Sequence, residues 1–116
     1  DSLSADTLCS LFGNAITNAI EAVKKTDDIE KRVIHLNVSK RNDMIFIHVE
    51  NYCADSGSLV FIDGLPETTK EDHDYHGYGM RSMQMMAEKL GGGIEAHLNG
   101  NMFHLNIFIP LNACET

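Results

Sequence analysis

Two stretches of this chain, residues 33–50 and 94–109, alternate apolar and polar side chains with a period of two, and no other feature limits the fold as much. Such alternation puts successive side chains on opposite faces of a strand, so each stretch reads as two half-buried strands. In the first, Ile34, Leu36 and Val38 share a face with Ile45, Ile47 and Val49, and Arg41-Asn42-Asp43 turns a hairpin over Val33–Lys40 and Met44–Glu50. In the second, strands over Ile94–Leu98 and Met102–Ile109 are turned at Asn99-Gly100, whose tolerance of positive φ suits a primed turn, and Pro110 ends the sheet.

A hairpin that is apolar on one face needs a cover, and a helical pattern precedes each. From Ala5 to about Lys25, Leu8, Leu11, Phe12, Ala15, Ile16, Ala19 and Val23 recur at three- and four-residue spacing behind a cap near Ser4. From about Tyr78 to Leu90, Met80, Met83, Ala87 and Leu90 turn inward, and Gly91-Gly92-Gly93 supplies the stop. This order predicts an α+β fold, a two-layer sandwich in which helices cover one face of a mixed, mostly antiparallel sheet. Between the halves, residues 51–76 lose periodicity and carry Gly57, Gly64 and Pro66, a connection far longer than the usual ~4–6 residues and so a candidate for function.

One domain over residues 1–116 accounts for the chain, without repeat or linker. A net charge of −8 with no basic stripe excludes nucleic acid as a natural partner. Cys9, Cys53 and Cys114 are odd in number and lack metal-ligand spacing, which suits reduced thiols in a cytosol. No apolar run approaches the roughly 20 residues that cross a bilayer, and the opening DSLSADTL lacks the pattern of a signal peptide, so the fragment is expected to be soluble.

Two constellations carry chemistry. In LFGNAITNAIEA, Asn14, Asn18 and Glu21 fall within an arc of roughly 60° beside the apolar face. Two amides and a carboxylate pointing together offer hard oxygen ligands suited to Mg²⁺; the alternative is that the asparagines are solvated or cap a neighbouring loop. In TTKEDHDYHGYGMRSM, a loop with Lys70 runs through His76-Gly77-Tyr78-Gly79 into a helix whose first turn holds Met80 and Arg81. Glycine allows close backbone approach, and the free amides of a helix start favour a phosphate chain; the alternative is a tight turn with Arg81 solvated. The histidines His35, His48, His73, His97 and His104 show no metal-ligand spacing and read as polar partners, and the methionines Met80, Met83, Met85 and Met86 read as adaptable packing.

Together the constellations resemble the GHKL ATPase superfamily, which shares the Bergerat ATP-binding fold among DNA gyrase, the heat-shock chaperone, the mismatch-repair protein and histidine kinases. Within it, NAITNAIEA with TTK and HGYGMRSM is most similar to sensor kinases that include peptide-pheromone receptors of Gram-positive bacteria, a quorum-sensing role. The resemblance implies Mg·ATP as cofactor, with Asn18 as the metal ligand, Asn14 and Glu21 beside it, and Asn51, within the HVENYC that ends the strand, facing the adenine. It also implies a lid over about 52–77 whose Lys70, His76, Gly77, Gly79, Met80 and Arg81 wrap the phosphates, while Leu59–Ile62 covers the adenine or docks on a dimerisation domain. Most histidine kinases carry aspartate where Asn51 stands, followed by a glycine box absent here. In hydrolytic branches a glutamate stands where this chain has Asn14. The implied activity is transfer of the γ-phosphate to a histidine on a separate dimerisation domain, with a response regulator downstream. The implied setting is the cytoplasmic side of a membrane-anchored homodimeric receptor, this fragment alone being a monomer. An anti-sigma-type serine kinase and a nucleotide-sensing scaffold domain that has lost phosphotransfer are the alternatives.

Overall fold

Both period-two stretches form hairpins, and they join edge to edge. The computed structural model describes residues 2–67 and 79–111, with side chains from Ser4 onward. Helix α1 spans Ser2–Lys24, strand β1 Ile34–Arg41 and β2 Met44–Tyr52. The short strands β3 and β4 are Phe61–Ile62 and Leu65–Pro66, helix α2 is Met80–Lys89, and β5 and β6 are Gly93–Asn99 and Met102–Pro110. The four long strands form a sheet in the order β1-β2-β6-β5, antiparallel at every described pairing. The seam between the hairpins pairs Ile45 with Ile109, Ile47 with Ile107 and Val49 with Leu105, so two apolar faces become one.

Against that face Leu11, Ala15 and Ala19 of α1 and Met83 and Ala87 of α2 close the core with Ile47, Val49, Ile94, Leu105, Ile107 and Ile109. Alanines at the α1 contact let the helix approach the strands closely, while Leu11 fills the space beside them. Helix α1 lies over β2 and beside α2, which lies over β5. Cover thins toward β1, and there the expectation of a buried strand face fails: Ile34 is partly buried, but Leu36 is 46% and Val38 55% exposed. The alternation was correct; β1 is an edge strand that reaches beyond the helices. Among the described residues no helix is long and apolar enough to cross a membrane.

The end of α2 follows the glycines. Gly91 takes φ 87°, its amide donates to Glu88 and that of Gly92 to Ala87, the paired bonds of a Schellman stop. A Cβ on Gly92 would fall on the carbonyl oxygen of Phe108, a backbone atom with no rotamer to yield. Gly92→Ala is therefore expected to cost about 3 kcal/mol by overpacking. Thermal unfolding should show it as a drop of roughly 10 °C or more. An unchanged melting temperature would refute the close approach.

Two turns differ from expectation. The β5–β6 loop centres on Gly100-Asn101 and not on Asn99-Gly100: Asn99 pairs with Met102, and Gly100 alone has positive φ, the pattern of a II′ turn. The aperiodic segment also has structure of its own. Asp63 at φ 53° and Gly64 at φ 83° make a two-residue turn with both dihedrals positive, as type I′ requires, and join β3 to β4.

That small hairpin is anchored. Leu65 and Pro66 are buried, and Leu59 and Phe61 pack on the core, so Leu59–Ile62 runs into β3. Val60 at 56% and Ile62 at 44% exposure remain at the surface. The expected lid over 52–77 is thus tied down at least as far as residue 67, and its remainder, 68–77, lies outside the described residues.

Candidate functional site

The 3.6-residue period that buries Leu11, Ala15 and Ala19 leaves Asn14 and Asn18 half-buried at the margin of α1, with Glu21 half-buried further along. Glu21 also takes part in a polar interaction of its own. The side chains are thus held against the domain, on the helix that lies over β2. Their donors are hard oxygens, which fits Mg²⁺ and not a soft metal.

Strand β2 carries the second element. Asn51 stands on the helix-facing side of the sheet, opposite Ile34 and Phe103, and is 2% exposed. Only Thr26 shares its status as a buried polar residue among the described residues. Thr26 has a structural explanation: its hydroxyl faces the Ala22 carbonyl at 3.5 Å, and its own carbonyl accepts from Arg32 Nε at 2.7 Å, pinning the loop after α1. For Asn51 the structure gives one donation, from Nδ2 to the Tyr52 carbonyl at 3.1 Å, which orients the amide at the strand end. Burying an amide costs free energy unless partners compensate it, and among the described residues no buried side-chain polar atom lacks a hydrogen-bond partner, so Asn51 is held in one orientation at the strand end beside the helices.

The chain leaving Asn51 is clamped. The Cys53 amide donates to the Asn101 carbonyl at 2.7 Å, and Asn101 Nδ2 donates back to the Cys53 carbonyl at 3.0 Å and to Ser56 Oγ at 3.1 Å. Asn101 therefore fixes the exit of β2 from the β5–β6 turn. Sequence reading missed it, although an asparagine directly after Asn-Gly was the available signal. Cys53 is buried with its thiol on Asp55 Oδ1 at 3.3 Å. Burial, then the hydrogen bond and charge of Asp55, push that thiol up to about 11, so it is an inert packing group at neutral pH. Cys9 is exposed, and among the described residues neither it nor Cys53 forms a disulfide.

The third element is the start of α2. Gly79 is extended, at φ −126° and ψ −169°, and its carbonyl accepts from Ser82 at 3.1 Å and Met83 at 3.3 Å. Among the described residues no side chain caps the helix there, and the amides of Met80 and Arg81 come before Ser82, the first whose amide reaches an acceptor within it. Met80 is a core residue, 6% exposed, so only its backbone amide is left to face a ligand. Arg81 does not project freely over the helix mouth: its guanidinium donates to the Ile62 carbonyl of β3 and reaches Gln84 Oε1 at 3.4 Å. It therefore ties the small hairpin to α2. Lys70, His76 and Gly77 lie outside the described residues.

The folded chain thus places the asparagine-bearing helix α1 over the strand that carries Asn51 near its end and beside the helix whose N-cap is Gly79. A buried amide can read a base edge, half-buried oxygens can hold a cation, and free helix amides can face phosphates, the three needs of a nucleotide–metal complex. A family model described as a GHKL domain matches residues 3–110. Comparison with curated proteins gives no match.

Proposed function

The chain belongs to the GHKL domain family, whose members bind ATP, and on that premise we propose that it is the catalytic domain of a two-component sensor histidine kinase. The observation that carries the reading is the buried Asn51 at the end of β2, beneath the helix that bears Asn14 and Asn18. In this assignment Asn51 Oδ1 would accept from the exocyclic amino group of adenine, and Asn18, with Asn14 and Glu21 beside it, would hold Mg²⁺. Bound Mg²⁺ would neutralise charge on the triphosphate. The chain's own contribution would be positioning, with Asn51 holding the base and the α2 start the phosphates, for transfer to an incoming histidine. Because the acceptor must be supplied from outside, the partners are a dimerisation domain bearing the histidine and a response regulator downstream. The parent is a membrane-anchored homodimer of the peptide-pheromone receptor type.

A neutral amide accepts a hydrogen bond less strongly than a carboxylate, and on this observation rests a second reading, a nucleotide-sensing domain without phosphotransfer. The parent protein incubated with γ-labelled ATP and Mg²⁺ separates the two. Acid-labile, base-stable label is expected, the signature of phosphohistidine. Nucleotide binding without any label would support the sensing domain, and acid-stable label on serine would support a serine kinase of the same family.

A further inference from the structure

The face of the sheet turned away from the helices carries a histidine cluster that the nucleotide site leaves unused. Period-two alternation puts His48 and Glu50 on the same side of β2, and the β2–β6 register sets Glu50 directly opposite His104 and His48 opposite Asn106. His104 in turn faces His97 on β5. His48 Nε2 lies 3.4 Å from Glu50 Oε1 and 3.3 Å from His104 Nδ1, and one donor atom from each residue falls within 4.8 Å of the others.

We propose that His48, Glu50 and His104 form a binding site for a divalent transition-metal ion of the zinc class, completed by solvent and separate from the Mg²⁺ position on α1. The spacing supports this. Bonds of about 2.0–2.1 Å to a tetrahedral Zn²⁺ place neighbouring ligand atoms about 3.3 Å apart, which matches both distances at His48 Nε2. The tautomer supports it too. Asn106 Oδ1 sits 2.5 Å from His48 Nδ1, and an oxygen acceptor there requires that nitrogen to carry the proton, so the lone pair of neutral His48 is on Nε2, aimed into the cluster. A metal-bound histidine is commonly oriented by a donation of this kind from its other ring nitrogen. His97 stacks on His104 at 4.6 Å between ring centres with 2° between planes and holds that ring in place.

The site remains open to an ion, since the side chains of His48 and Glu50 are 30% and 28% exposed. Two imidazoles and a carboxylate select zinc, nickel or copper over magnesium, which prefers oxygen throughout. The ion would also bridge β2 and β6, the seam between the two hairpins.

The test titrates the chain with Zn²⁺ in excess Mg²⁺, following imidazole nitrogens by NMR and affinity by calorimetry. Shifts confined to His48 Nε2 and His104 Nδ1 are expected, with a rise in melting temperature that grows with Zn²⁺ concentration. Glu50→Gln and His104→Gln should each weaken binding about tenfold or more, and Asn106→Ala by about tenfold through the lost orientation of His48. Cys9→Ser, on α1 at the other side of the sheet, should leave affinity unchanged. Absence of Zn²⁺ binding would overturn the proposal. So would binding that Glu50→Gln and His104→Gln leave intact, because the ion would then sit elsewhere in the chain. The nitrogen shifts are read in the unsubstituted protein, so a variant that folds poorly does not remove the test.

Discussion

Purified chain saturated with Mg·ATP is expected to release phosphate very slowly, and Asn14→Glu to raise that release by about 10²-fold or more. Water attacks a phosphoryl group faster when a base takes its proton, and general-base assistance is typically worth ~10²–10⁴-fold. Hydrolytic relatives use a glutamate one helical turn before the metal-binding asparagine. Asn14 stands at the matching place on α1, four residues before Asn18, and an amide takes no proton at neutral pH. The position is half-buried at the margin of α1, between the core residues Leu11 and Ala15, so a glutamate there sits beside the site and fits the helix. Glutamate is also a better helix former than asparagine, so the gain should not be masked by unfolding. Slow release suits a kinase, for which water is a competitor of the acceptor histidine. Turnover above about 1 per second by the unsubstituted chain would refute the kinase assignment, since that is the range of ordinary enzymes.

Asn18→Ala is expected to weaken Mg·ATP binding by at least about 10- to 100-fold while leaving adenosine binding unchanged. The substitution removes an oxygen beside the proposed metal and leaves Asn51, the group that reads the base, in place. Losing one group around a metal commonly costs about 10- to 100-fold even when it does not touch the ion, so loss of a direct ligand should cost no less. Alanine favours the helix, and Asn18 is only half-buried, so the fold should persist. Calorimetry with Mg·ATP, ATP in chelator and adenosine distinguishes the possibilities. Equal weakening of all three ligands would show that Asn18 supports the fold or the base pocket and would remove it as the metal ligand.

How much of this site was legible in the sequence differs residue by residue. Asn14 and Asn18 were legible because four residues make about one helical turn, so their common direction needs no tertiary information. Asn51 was legible as a strand end but not as a buried group, because its burial depends on α1 and β6 closing around it. Arg81 was legible as a charge in the first turn of α2, whereas its engagement with Ile62 required the hairpin that brings β3 to it. Strands of two residues are too short to display a period, which is why that hairpin read as featureless chain.

Local periodicity and glycine chemistry determined the elements themselves. α1, α2 and the two long hairpins lie within two or three residues of expectation, and the stop after α2 is the Schellman motif that three successive glycines permit. Those properties rest on residues a few positions apart, where chain connectivity already holds partners together. Tertiary structure alone decided the pairing of β2 with β6, the exposure of Leu36 and Val38 at the edge, and the meeting of His48, Glu50 and His104. The last depends on a register across 54 positions between Glu50 and His104, and a slip of one residue would turn His104 to the opposite face of the sheet. Such a register is fixed by apolar burial summed along a whole strand pair, and no short window of sequence contains that sum.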